Sequence, residues 1–190
     1  MAPTHPIPNL QVVWFKRDLR IYDHRPLSRA AERGPVLPLY IVEPDIVGAE
    51  DFSGAHWRFI RSSLAELRRR LADLGQPLVV RRGGAVETFE RLRQIAGSFT
   101  LWAHQETGNH LTFDRDVAVR SWARQHGVQV HECRQHGVVR GSLDRDNWAR
   151  QWRSFMDEPE APAPAALKPL PVRPGRIPTF DDLGLSRGVL

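Results

Sequence analysis

Four charged residues follow directly on an apolar run near the start of the chain. The run covers residues 12–15, and the charged residues after it are Lys16, Arg17, Asp18 and Arg20. Because an unpaired charge is costly to bury, these side chains are expected where the chain leaves a buried strand. There they could contact a bound ligand, or they could do no more than pair with one another.

A second polar segment follows a later apolar run in the same way. Residues 99–103 are mainly apolar, and the segment 104–110 after them contains Glu106, Asn109 and two histidines. In doubly wound folds, ligands bind outside the carboxyl ends of the strands, at the point where the strand order reverses. If strands one and four are neighbours, the two polar segments face one crevice.

Apolar runs alternate with helical patterns along the chain, which predicts the sheet that this arrangement needs. The predicted strands cover 12–15, 36–42, 78–80, 99–103 and 128–133. The predicted helices cover 27–33, 55–74 and 86–95, and a further one is capped by Thr112. Short alternating connections indicate parallel strands with right-handed crossovers. We therefore predict a Rossmann-like α/β fold, a doubly wound five-stranded parallel sheet in the order 3-2-1-4-5.

The second strand and the segment after it allow more detailed predictions. Pro38 lacks an amide donor, so the second strand is expected at an edge of the sheet or with an irregular start. The segment 43–54 is polar and is interrupted by proline and glycine, which predicts a loop. Ser53 is expected to cap the long helix that follows.

The composition changes towards the end of the chain and suggests three regions. Residues 1–10 are expected to form an N-terminal tail, and 11–157 the α/β domain with a final helix over 142–156. Residues 158–190 are rich in proline and are expected to be a linker. A linker of this length predicts a further domain beyond it.

Composition and motifs narrow the function classes. The net charge of +5 and pI near 10.3 permit contact with nucleic acid, but a solvated basic face is the favoured interpretation. No apolar run approaches the ~20 residues that span a bilayer, so no membrane association is expected. Cys133 is the single cysteine, which favours the cytoplasm. His104 and His110 share a segment without a zinc-type pattern, so no metal site is expected. A free-standing nucleotide-binding domain is the least favoured hypothesis, because no phosphate-binding glycine motif occurs.

The first charged segment also carries a family signature. The residues W-F-K-R-D-L-R over 14–20, followed by Asp23, His24 and Leu27, resemble the opening of the DNA photolyase/cryptochrome family. That family usually has arginine where Lys16 stands, asparagine at His24 and alanine at Pro26. The signature fixes apolar, acidic and basic positions in order, so it is far more specific than a short glycine pattern.

The resemblance implies an N-terminal α/β domain, followed by a linker and a helical domain that holds FAD. In such a protein, blue light would drive FAD-dependent repair of pyrimidine dimers in damaged DNA. The alternative is a signalling cryptochrome without repair activity. The FAD-binding helical domain would be the partner of this domain, which is expected to carry no catalytic residue.

The resemblance further implies an antenna chromophore in this domain: 8-hydroxy-5-deazaflavin, FMN or methenyltetrahydrofolate. The expected cofactor-binding residues are Lys16, Arg17, Asp18, Glu106 and Asn109. Counting back from Arg115-Asp116, Asn109 falls on the acidic position used for deazaflavin, and Leu111-Thr112 on the Asn-Glu pair used for folate. The alternative is a scaffold in which Lys16, Asp18 and Arg20 only hold the loops together.

Overall fold

The computed structural model describes residues 6–138 and 147–186, and its centre is a five-stranded parallel sheet. The strands are β1 (Leu10–Phe15), β2 (Val36–Val42), β3 (Val79–Arg82), β4 (Phe99–His104) and β5 (Gln129–Cys133). Their order is β3-β2-β1-β4-β5, with every neighbouring pair parallel. The predicted fold class and strand order are therefore confirmed.

Helices cover both faces of this sheet. They are α1 (Arg25–Ala31), α2 (Pro44–Val47), α3 (Gly54–Asp73), α4 (Ala85–Ala96), α5 (His110–Gln125) and α6 (Trp148–Met156). Helices α1 and α3 pack on the side of the sheet that contains Val13 and Phe15. Helices α4 and α5 pack on the other side, with Val12 and Trp14. Successive side chains of a strand point to opposite faces, so the consecutive apolar residues of β1 serve two cores.

Three local expectations require correction. Helix α1 begins at Arg25, two residues earlier than predicted, because the His24 side chain accepts a hydrogen bond from the Leu27 amide and caps it. The expected loop after β2 contains the short helix α2, which Pro44 can start because the first turn needs no amide donor. Asn109, not Thr112, caps α5, since its side chain accepts from the Thr112 amide.

Pro38 lies in a central strand, and of the two expected arrangements the structure has the irregular start. Strand β2 pairs with β1 along Val36–Tyr40, but its pairing with β3 begins only at Leu39. The proline therefore lies where β2 has one neighbour, so fewer ladder bonds are lost there.

The described parts of the C-terminal region are helix α6 and an extended segment. Helix α6 begins at Trp148, and the residues 142–146 of the predicted helix lie outside the described ranges. No helix in those ranges is long and apolar enough to cross a bilayer.

The proline-rich segment after α6 lies against the α/β domain. Leu167 is buried with the core residues of α3, and its amide donates to the Leu74 carbonyl at 2.6 Å. Farther along, the Pro174 carbonyl accepts from the Val80 amide at 2.7 Å, beside the outer strand β3. The segment thus contributes apolar contacts and backbone hydrogen bonds to the domain.

Replacing Leu167 by alanine tests this attachment. Because the side chain is 5% exposed, Leu167→Ala is expected to lower the free energy of unfolding in urea by about 2–4 kcal/mol. Leu111→Ala makes the same chemical change at a 43% exposed position and is expected to cost less than about 0.5 kcal/mol. Equal small losses in both variants would contradict the packing of this segment.

Candidate functional site

The two polar segments predicted to converge meet at the carboxyl edge of the sheet. Strands β1 and β4 are neighbours, with Trp14 opposite Ala103, so the chain leaves both strands side by side. The Arg17 guanidinium lies 3.0 Å from Glu106, which joins the first segment to the second. The expected convergence at the reversal of strand order is confirmed.

Asp18 links three elements behind this edge. One carboxylate oxygen accepts from the Lys16 backbone amide at 2.8 Å, and the other lies 2.6 Å from His104 Nδ1 and 2.9 Å from His24 Nε2. All three side chains are buried. We call Asp18, His24 and His104 the Asp18 cluster.

The electrostatics of the Asp18 cluster favour an ionised carboxylate. Burial alone would raise the pKa of Asp18, but His104 and His24 outweigh it and hold the pKa well below its usual range. Burial lowers the pKa of His104, and the contact with Asp18 opposes this only partly. Asp18 does not line the cleft described below.

The same three groups lie close enough together to raise the question of a metal ion. His24 Nδ1 accepts a hydrogen bond from the Leu27 amide, so the neutral ring carries its proton on Nε2, facing Asp18. A metal-bound histidine instead donates from its second nitrogen to an acceptor. The hydrogen bond at Nδ1 and the close contact of Nε2 with Asp18 make this group a link between loops.

Beside the Asp18 cluster, charged side chains form a second group, which we call the ion cluster. Its members are Lys16, Arg17, Arg115, Glu43, Glu106 and Asp116. Three cations therefore face three carboxylates. All of them are buried or nearly so except Arg17, whose side chain is 63% exposed.

Arg115 is at the centre of the ion cluster. Its guanidinium donates to Glu43 at 2.8 Å, to Asp116 at 3.0 Å and to Glu106. Burial would lower the pKa of Arg115, but the three carboxylates outweigh it and raise the pKa. Burial raises the pKa of Glu43, and Arg115 opposes that shift. The buried cations are thus fully matched by anions of the chain itself.

A cleft of about 450 Å³ opens next to the ion cluster. It lies between the carboxyl ends of β1 and β2, helix α2, the start of α3 and the segment after β4. Its apolar walls include Phe52, Trp57 and Phe59 from the region of α3. The volume and mixed lining are those of a small-molecule site.

The structure places four of the five predicted binding residues in this cleft. Lys16, Arg17, Glu106 and Asn109 line it, whereas Asp18 does not. Asn109 accepts from the Thr112 amide at 3.2 Å and donates to Asp51 at 3.1 Å, so its side chain joins α5 to the far wall of the cleft.

Sequence reasoning missed other polar residues of the lining: Tyr40, Glu43, Asp51, His56 and Arg115. Burial, and next the charge of Glu43, raise the pKa of Tyr40, so its hydroxyl stays protonated. The position of Glu43 directly after β2 was a usable signal, because that strand ends at the same edge. Arg115 was recognised only as part of the Arg-Asp pair used for counting, because its position within a helix did not indicate a binding role.

The Asp18 cluster generates a stability prediction. In Asp18→Asn, the new side-chain NH2 group faces groups that donated to the carboxylate, so one buried donor loses its acceptor. The substitution is expected to lower the free energy of unfolding by about 1–3 kcal/mol at pH 7. The exposed Asp114, on α5, provides the control, and Asp114→Asn should change stability by less than about 0.5 kcal/mol. An equal effect of the two substitutions would contradict the linking role of Asp18.

The same cluster sets a direction of pH dependence. A folded-state pKa below the usual 3.8 means that the unfolded chain binds more protons in acid. The contribution of Asp18 is therefore complete above that ordinary value and is lost as the pH falls towards the lowered one. Urea denaturation between pH 6 and about pH 2 should show a shallower loss for Asp18→Asn than for the wild-type chain.

Comparisons with known proteins agree with the geometry. The family model described as DNA photolyase matches residues 11–163. A cryptochrome DASH from Gloeobacter violaceus is 34% identical over 195 residues, which cover 94% of this chain and 39% of the relative. A deoxyribodipyrimidine photo-lyase from Halobacterium salinarum is 29% identical over 82% of this chain and 36% of the relative. The chain thus spans less than half the length of these relatives.

A solved structure has the same architecture. The crystal structure of a bacterial class III photolyase from Agrobacterium tumefaciens superposes with a TM-score of 0.71 at 26% identity. The superposition covers 87% of this chain and 36% of that one. With the family model matched over most of the sequence, and with this sheet order, the chain belongs to the DNA photolyase family and carries its N-terminal α/β domain.

Proposed function

We propose that the cleft beside the ion cluster binds a ring-type antenna chromophore of the flavin or deazaflavin class. The observation that carries the proposal is a 450 Å³ cleft at the reversal of strand order, with apolar walls and a charge-balanced polar end. A flat conjugated ring needs such a slot, with a few fixed polar groups to orient its edge.

The donor set of the cleft supports an uncharged ring edge in the interior. Lys16 and Arg115 already pair with carboxylates, so neither is left over for an anionic group. Glu43 and Tyr40 offer an acceptor and a hydroxyl to the amide-like edge of a flavin or deazaflavin ring. An anionic tail would lie at the mouth, near the exposed Arg17.

This donor set ranks the candidate chromophores. The 8-hydroxy-5-deazaflavin chromophore without a phosphate fits best, and FMN fits if its phosphate stays at the mouth. Methenyltetrahydrofolate carries an anionic glutamyl tail, which would likewise have to stay at the mouth. When bound, the chromophore would absorb near-ultraviolet or blue light and pass the excitation to FAD held outside this chain. The residues of the chain would bind it, orient it and exclude water.

For the whole protein, we propose blue-light-driven, FAD-dependent repair of pyrimidine dimers in DNA. The second candidate is a signalling cryptochrome, favoured by the similarity to a cryptochrome DASH, whereas the similarity to a photo-lyase favours repair. The residues that decide between them would lie in the FAD-binding helical domain. Dimer splitting under blue light by the intact protein would support repair, and its absence with intact flavin photoreduction would support signalling.

Filling the cleft tests chromophore binding. The purified chain is expected to retain 8-hydroxy-5-deazaflavin after gel filtration, and Ile46→Trp should abolish this because an indole would occupy the slot. Val117→Trp, at an exposed position of α5, should leave binding unchanged. Absorbance of the protein fraction measures both. If no candidate chromophore is retained by the wild-type chain, the domain is a scaffold only.

Arg17 tests the position of the anionic tail. Arg17→Gln is expected to weaken the binding of FMN about two- to fivefold relative to the binding of riboflavin, because only FMN carries the phosphate. Arg17→Lys keeps the charge and should restore most of that ratio. Fluorescence titration of both ligands against each variant gives the comparison, and an unchanged FMN-to-riboflavin ratio would place the phosphate elsewhere.

A further inference from the structure

A second depression lies on the sheet face that α4 and α5 cover. We call it the α4 groove; its volume is about 540 Å³. Its apolar lining includes Leu37, Leu39, Val79, Leu92, Leu170 and Val172. Strands β2 and β3 form the floor, α4 one wall and the segment 170–173 the other. An enclosure of this size on three sides suits a single small molecule.

The charged residues of the α4 groove all have one sign. They are Arg81, Arg82, Arg91 and Arg173, and none of the carboxylates in the described part of the chain lines the groove. This differs from the cleft, where the ion cluster balances its charges. Like charges around an apolar surface repel one another and favour an anion between them.

Two of these arginines are committed to neighbours. Arg81 donates to the carbonyls of Val80, at 2.8 Å, and Arg173, at 3.0 Å, and Arg91 donates to Glu87 at 2.7 Å. The guanidinium groups of Arg82 and Arg173 form no ion pair within residues 6–138 and 147–186. They are exposed and can bind an external anion.

We infer that the α4 groove binds an amphipathic anion, a small molecule with an apolar body and one carboxylate, sulfate or phosphate group. The body packs on Leu39 and Val79, and the anionic group lies at Arg82 and Arg173. A neutral apolar ligand leaves the arginines unused, whereas a nucleic acid leaves the apolar floor unused. The inference does not depend on the proposed chromophore.

Fluorescence titration with dansylundecanoate, an anionic amphiphile, tests the inference directly. The wild-type chain is expected to bind it saturably, and decanoate should displace it about tenfold more effectively than 1-decanol, because only decanoate carries a charge. Binding should weaken as salt is added, since exposed charges are screened.

Variants assign the binding to the α4 groove. The double variant Arg82→Gln/Arg173→Gln is expected to bind the probe about tenfold more weakly, whereas Arg124→Gln, on an exposed position of α5, should bind as the wild type does. Ile95→Trp, which lines the groove, should reduce binding by filling it. Circular dichroism confirms that each variant is folded.

Three outcomes would overturn the inference. They are the absence of saturable binding, equal displacement by decanoate and 1-decanol, and full binding by the double variant. Displacement of the probe by an acidic amphipathic peptide but not by decanoate would also overturn it, in favour of a protein partner.

Discussion

A single buried carboxylate organises the carboxyl edge of this sheet. Asp18 can remain ionised away from water only while donors surround it, because an unpaired buried charge is too costly. The backbone of the first loop, the cap of α1 and the end of β4 supply those donors. The arrangement fixes the backbone at Lys16, from which the side chain reaches Asp116. The Asp18 cluster and the cleft are therefore one connected structure.

The ion cluster extends the same constraint to the floor of the cleft. Its buried cations and carboxylates are stable only together, since removing one partner leaves another charge uncompensated. Lys16 and Arg115 also lie 4.8 Å and 4.7 Å from the centroid of the Trp14 ring, which anchors them to the core. Such a floor is preorganised and carries no net charge, so it can recognise a ligand by ring shape and hydrogen bonds.

The cleft and the α4 groove differ in their charge balance. The cleft combines apolar walls with paired charges, and the α4 groove combines an apolar floor with arginines alone. Both depend on tertiary neighbours that are far apart in the chain. The second wall of the groove is part of the C-terminal segment, which Leu167 and Pro174 help to hold against α3 and β3.

The sequence by itself determined the layers of this protein. Four consecutive large apolar residues in β1 must be buried on both faces, and the helical patterns between strands require parallel pairing. The common doubly wound arrangement then supplied the strand order and the convergence of the two polar segments that contain Arg17 and Glu106. The sequence predicted that a polar residue caps α5, but it indicated Thr112 where the structure has Asn109, since both residue types can cap a helix.

Only the tertiary structure decided where each charged side chain points. Asp18 and His104, which form a hydrogen bond, are 86 residues apart in the sequence, and the hydrogen-bonded Arg115 and Glu43 are 72 residues apart. Pro38 lies in a central strand because β3 begins its pairing one residue later. No periodicity encodes such pairings. They arise when distant elements pack, and the cost of burying each charge then selects the partner that neutralises it.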